Sequence, residues 1–254
     1  MITDDADLHG PATPIHDISG PTKIYHRFPG NFLLTRDYCI MANSEHLAKL
    51  KRGIQAWNTW RQGNLNTRPN LSKADLLQVN LRGAFLAGAD LEGASLLAAN
   101  LEQAMLWKAN LEQANLRTAN LERADLLEAS LKGADCLGTN LKRADLSGAD
   151  LENAVLARAN LERAKLWKTN LRRADLYRAN LQHAQLHGAN LEQVELLEAN
   201  LMGSILAGAN LKGALHLSAH QLSQVKTLWK AQLDEDLLEQ VGREHPQLLT
   251  EPPT

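Results

Sequence analysis

The sequence predicts an all-β solenoid, a chain wound into short extended sides joined by tight corners, and three observations carry that prediction. First, leucine recurs at every fifth residue: of the 29 centre positions from Leu71 to Leu211, here called i, only Cys136 is not leucine. Second, position i−2 is small, nearly always Ala, with Val79, Val194, Thr139, Thr169 and Ser204 as variants and Pro69 opening the series. Third, ten of the chain's 16 glycines lie in this array, and all ten fall at i+2. Five residues advance an α-helix by roughly 500°, so the leucines would define no helical face. On a flat strand, residues five apart point to opposite sides. A polygonal coil reconciles the pattern. Residues i−2 and i share the inner face of an extended side, i−1 points outward, and i+1 and i+2 turn the corner. Glycine at i+2 suits a corner that visits positive φ. Arg, Lys, Gln and Glu also occur there, which predicts that only some corners need a left-handed residue.

The repeated A-[DN]-L-x-x unit, as in ANLEQAMLWKANLEQANL, resembles the pentapeptide-repeat family, and the resemblance covers about residues 69–215. It implies a right-handed quadrilateral parallel β-helix with four pentapeptides per coil and with i and i−2 inside. Coils stacked at ~4.8 Å would make a rod of about seven coils, on the order of 35 Å long. The resemblance implies little about activity. A few members bind DNA topoisomerases by imitating duplex DNA; most have no known biochemical role.

The remaining elements follow in chain order. Residues 1–40 carry Pro11, Pro14, Pro21 and Pro29 among glycines and little apolar content, the composition of a disordered extension. MANSEHLAKL also reads as a second start, with Met41 as initiator. Residues 41–68 supply an N-terminal cap and linker. Ser44 stands where a helix N-cap would, Leu47, Leu50, Ile54, Trp57 and Arg61 recur at helical spacing, and Trp60 lies beside them. Such a cap is needed because a bare coil exposes unpaired backbone and apolar interior. Residues 69–215 are the array. Residues 216–254 form a C-terminal cap and tail: Ser218 and Gln221 have capping-box spacing before Leu222 and Val225, LWKAQL reads as an edge strand, and Asp234 as the N-cap of a helix bearing Leu237, Leu238 and Val241.

Composition narrows function. The chain is 44% apolar and only 4% aromatic, with net charge −2 spread as +2 over residues 1–68, −1 over 69–215 and −3 over 216–254. That is no electrostatic footprint for nucleic acid or an anionic membrane, and no apolar run reaches spanning length. Cys39 and Cys136 make no disulfide framework, since Cys136 replaces a core leucine. A cytoplasmic protein is expected.

No catalytic constellation emerges. His216 and His220 are four apart without further metal ligands, and His216 is expected to fill a centre position as the register dissolves. His183 and His187 should face solvent. There is no phosphate loop, and a filled solenoid offers no evident pocket. No cofactor, metal or small-molecule substrate is expected.

The outer faces say more. In every second unit i−1 is Asn or Asp, from Asn70 to Asn210, broken only by Ser130, and the same two opposite sides carry most of the i+1 glutamates. The other two sides are partly apolar at i+1: one presents Leu77, Leu97, Leu137 and Tyr177, its opposite Trp107, Leu127 and Trp167. These seven are the candidate partner-binding residues. The expected function is a non-catalytic scaffold that binds a protein partner or a second copy of itself, with no direct nucleic-acid or membrane contact. A gyrase-binding DNA mimic is the alternative and an enzyme the third. Mimicry needs sustained negative potential, whereas Glu92 and Glu112 are followed along their column by Lys132, Glu152, Arg172, Glu192 and Lys212, and such alternation cancels within a Debye length of ~8–10 Å.

Overall fold

The structure is a computed structural model and describes residues 41–252. The expectations for residues 1–40, the Met41 start and Cys39 therefore lie outside the described residues.

From Asn70 onward, residues twenty apart face one another in parallel: Asn70 bridges Asp90, Asp75 bridges Ser95, Asn80 bridges Asn100, Phe85 bridges Met105, and so on to Glu195 and Leu215. A coil is thus four sides of five residues. Each side contributes one bridged residue, at i−1, rather than a strand of several. Between coils the amide of residue i donates to the i−1 carbonyl of the next coil, as Leu121 does to Asn140 at 2.7 Å. Within a side, the amide after the corner returns to the leucine carbonyl, as Ala124 does to Leu121 at 3.0 Å.

Every centre residue from Leu71 to Leu211 is buried, Cys136 among them. Burial pushes the Cys136 thiol up to about 12, so it stays protonated and inert. Where Thr139 and Thr169 replace alanine at i−2, their hydroxyls donate to Leu116 O and Leu146 O at 2.7 Å, so the buried oxygens are satisfied.

The corners correct an expectation. All of them adopt positive φ, glycine or not: Gln103 at 58°, Thr118 at 53° and Arg143 at 58° match Gly138 at 65°. With the corner hydrogen bond, this is a type II turn. The i+2 amide also donates to the next coil, as Arg143 does to Glu162 O at 2.9 Å, so stacking imposes the left-handed conformation whatever the side chain.

At the N-terminal end the predicted cap is two helices, α1 (Ser44–Lys51) and α2 (Ile54–Gly63). Gly53, at φ 108°, breaks the stretch. The N-cap is Asn43 rather than Ser44: its side chain accepts from the Glu45 and His46 amides at 3.0 Å. The first coil lacks a coil below it, and side chains supply the missing partners. Phe85 N–H donates to Asn58 Oδ1 at 2.8 Å, in place of the carbonyl that Met105 N–H finds one coil on. Trp57 Nε1 donates to Phe85 O, Asn58 Nδ2 to Gly83 O and Arg61 Nη2 to Ala87 O, at 3.0 to 3.1 Å. Trp57 is fully buried.

At the other end, α3 (Ala219–Ser223) carries the Ser218–Gln221 capping box. His216 does not fill a centre position; it is exposed at φ 57°, with Nδ1 2.8 Å from Glu195 Oε1. The expected edge strand is instead a resumption of the repeat with two residues inserted. Thr227 bridges Ile205, Gln232 bridges Asn210, and Leu228 and Leu233 are buried five apart. Lys230 makes another left-handed corner at φ 57°. Then α4 (Glu235–Glu244) and a 3-10 turn, Pro246–Leu249, close the end, with Leu228 N–H donating to Leu248 O at 2.7 Å. Asp234 stands at the N-cap of α4, but its carboxylate accepts from Gly213 N–H at 3.1 Å, not from the helix. Leu237 and Val241 pack inward, whereas Leu238 is exposed.

Candidate interaction surface

The four sides differ in what their outward residues have to do. On the two Asn sides, i−1 is consumed by the fold. Asn120 Oδ1 accepts from Glu122 N–H at 3.2 Å and from Asn140 Nδ2 at 2.9 Å, while its own Nδ2 reaches Asn100 Oδ1 at 3.4 Å. Such ladders link coil to coil on both sides, as Asn170 to Asp150 at 2.8 Å on the other. The i+1 charges pair along the same columns: Lys132–Glu152 at 2.8 Å, Arg172–Glu152 at 3.0 Å, Lys142–Glu162 at 2.7 Å and Arg82–Glu102 at 3.1 Å. Lys132 first, then Arg172, holds the Glu152 carboxyl below its ordinary range, and Lys142 does the same to Glu162. Where these pairs form, charge is neutralised within the side.

The other two sides leave apolar groups outside. On the first, Leu77 and Leu197 are exposed and Leu97, Leu137 and Tyr177 half-buried, with Arg117, paired to Asp135 at 3.2 Å, between them. On the second, Trp107, Leu127 and Trp167 are all exposed. The resumed repeat adds a residue that the sequence pattern misses. Gly208 N–H donates to Trp229 O at 2.8 Å, as Gly88 N–H does to Trp107 O at 2.9 Å, so Trp229 occupies the same position of the same column. Trp107, Trp167 and Trp229 are therefore successive three-coil steps apart, about 14 Å each. Each is followed by lysine (Lys108, Lys168, Lys230), and Lys230 Nζ lies 4.0 Å from the Trp229 ring centre. His187, expected to face solvent, is half-buried with its ring edge-on to Trp167 at 5.8 Å; His183 is exposed.

Three depressions open on this second side. One of about 600 Å³ lies between Arg61, Leu65, Phe85 and Trp107; a second of about 300 Å³ lies at Trp167, Lys168 and His187; a third of about 460 Å³ lies between His187, Ala207 and the C-terminal residues Gln247 and Thr250. Among the described residues, no group of three or more His, Cys, Asp or Glu could hold a metal ion, and no helix is long and apolar enough to cross a membrane.

A parallel coil of five-residue sides with leucine inside and type II corners defines a class, the pentapeptide solenoids. A model of pentapeptide repeats matches eight copies within residues 67–215, and the chain belongs to that family. It is similar to HetL, a pentapeptide repeat protein involved in heterocyst differentiation regulation from the cyanobacterium Nostoc sp. strain PCC 7120, at 30% identity over 69% of this chain and 89% of that one, with a TM-score of 0.31. It is similar also to Rfr23 from the cyanobacterium Cyanothece 51142 (28% identity, 50% and 85% of the two chains, TM-score 0.33). A third is QnrB1, a plasmid-mediated fluoroquinolone resistance protein (17% identity, 68% and 94%, TM-score 0.45). No curated protein matches the chain significantly.

Proposed function

We propose that this protein is a non-catalytic interaction scaffold whose contact surface is the tryptophan side. The observation that carries this reading is the Trp107–Trp167–Trp229 column: three indoles in one register on a stiff rod, each with an adjoining lysine, on a side whose i−1 positions form no asparagine ladder. Tryptophan in partly desolvated depressions is the residue type that anchors protein interfaces. The rival reading, a gyrase-binding DNA mimic, wants unpaired acids in long columns. Glu102, Glu152 and Glu162 are instead ion-paired to neighbours one coil away, which favours the scaffold. The Leu77–Leu97–Leu137–Tyr177 side is the second candidate surface.

Changing Trp107 and Trp167 together to Ser should leave the fold intact, because neither indole belongs to the core. It should remove the proteins retained by the wild-type chain from native lysate, or the self-association seen by ultracentrifugation. Unchanged capture and unchanged mass would move the interface to the opposite side. Inhibition of gyrase supercoiling by both the wild type and the double variant would replace the scaffold reading by mimicry.

A further inference from the structure

The depression beside Trp107 contains a feature that the packing does not require. Arg61 is 2% exposed, yet among the described residues no carboxylate pairs with it. Its Nη atoms donate to Asn64 O, Thr67 O and Ala87 O at 2.6 to 3.1 Å, and its guanidinium carbon lies 5.1 Å from the centre of the Phe85 ring. The buried Nε has no partner. Carbonyl dipoles occupy the Nη donors but leave a full positive charge under the surface, an arrangement normally compensated by an anion. Burial accordingly lowers the Arg61 pKa.

The depression that Arg61 helps to line has apolar walls, Leu65, Phe85, Ala87 and Trp107, and a second guanidinium, Arg68, at its edge. Arg68 is largely exposed and only loosely held, 3.6 Å from Asp90. The lining contains no acid. At about 600 Å³ it falls within the range of ligand sites that bury a compact organic group.

We infer that this depression is a binding site for a carboxylate borne on an apolar group, and that its occupant is the C-terminal residue of a partner chain. The carboxylate meets Arg68 at the edge, over the buried charge of Arg61, and the apolar side chain lies between Phe85 and Trp107. An apolar C-terminal residue presents both features within one residue, and the preceding backbone would then run along the tryptophan column. The inference rests on the reading of that side as a protein contact, but the two fail separately, since a peptide titration needs no native partner.

The test uses the full chain and acetyl-Gly-Gly-Phe with a free C-terminal carboxylate, against the same peptide as its amide. The indole N–H resonances are followed by NMR, with Trp107 assigned by its substitution to Phe. The free acid should shift the Trp107 resonance saturably, and the amide should bind at least about tenfold more weakly, as expected for loss of a charge-assisted pair. Arg68→Ala should weaken the acid about tenfold and leave the amide unchanged. Because Arg61 also ties the linker to the first coil, Arg61→Lys is the variant to use there; folded by circular dichroism, it should keep charge selectivity with weaker binding. Equal binding of acid and amide would overturn the proposal, leaving only a greasy hollow. Absence of any Trp107 shift at millimolar peptide would do the same. Phenylacetate binding as tightly as the tripeptide would overturn the peptide occupant in favour of a free organic acid.

Discussion

The Asn sides and the open sides of this solenoid are built on the same leucine core and the same left-handed corners, yet they commit their surfaces differently. On an Asn side the i−1 residues bond to their own turn and to the next coil, and about half of the i+1 positions pair with an opposite charge one coil away, as Lys142 does with Glu162. On an open side i−1 varies freely: Phe85, Met105, Asp125, Asp145, Lys165, Gln185 and Ile205 follow one another down one column. The lesson is a division of labour. The fold is held by its core and by two laddered sides, which frees the other two to vary, with only scattered links between coils such as Lys165–Asp145 at 3.0 Å and Arg178–Glu198.

The strongest way to break this comparison is to remove one i−1 residue from each kind of side. Asn120→Ala deletes the Asn100, Asn140 and Glu122 hydrogen bonds and should cost about 1–3 kcal/mol. Asp125→Ala, one side further on, loses only the bond from Leu127 N–H at 3.1 Å and should cost about 1 kcal/mol or less. Urea denaturation of both variants measures the difference. Equal losses would mean that the ladder is a by-product of repetition rather than a structural element.

How far the sequence discloses this arrangement depends on what each residue answers to. The leucine period, the inward faces and the division between Asn and open sides are local and repeated, so they can be read directly. The corner conformation is misread because Arg, Gln and Thr at i+2 suggest freedom that the bond to the next coil removes, as the Arg143 amide bonded to Glu162 O shows. Trp229 is missed because the two residues inserted around α3 shift the register, although Leu228 and Leu233, five apart and both buried, were the available signal. Arg61 reads as one position of a helical stripe. Its burial over Phe85 and the depression beside it exist only once α2 has packed on the first coil, which no spacing in the sequence shows.

Corners are common to both kinds of side, so they offer a sharper control: here no difference between sides is expected. A non-glycine residue at positive φ costs about 1–2 kcal/mol, partly offset when glycine replaces it by the larger entropy of the unfolded chain, about 0.4–1 kcal/mol. Thr118→Gly, after an open side, and Gln103→Gly, after an Asn side, should both stabilise, by about 0.5 kcal/mol net. Thr118 should gain the more, because a β-branched side chain fits φ 53° worst. A loss at one corner and a gain at the other would show that the sides set the strain of the corners they precede.

The smallest effect concerns pH and is clearest on the Asn sides. Glu152 sits between Lys132 and Arg172, and both hold its carboxyl below the ordinary value of 4.5. A carboxylate with a folded pKa below its unfolded one stabilises the fold at neutral pH. That contribution is complete above the unfolded value and disappears as pH falls through 4.5 toward the folded pKa. Glu162, paired with Lys142, and Glu198, paired with Arg178, shift in the same direction, so the wild-type melting temperature should fall over that acid range through several groups at once. Glu152→Gln removes one of them. It should lower the melting temperature slightly at pH 7 and not at all below the folded pKa, where the wild-type carboxyl is itself protonated, so the two curves converge in acid. At molar salt the difference at pH 7 should shrink, because these pairs lie at the surface and are screened. A difference that persists undiminished in acid would mean that Glu152 acts through its packing rather than its charge, and that the ion-paired columns are no more than decoration on a fold already held by its asparagines.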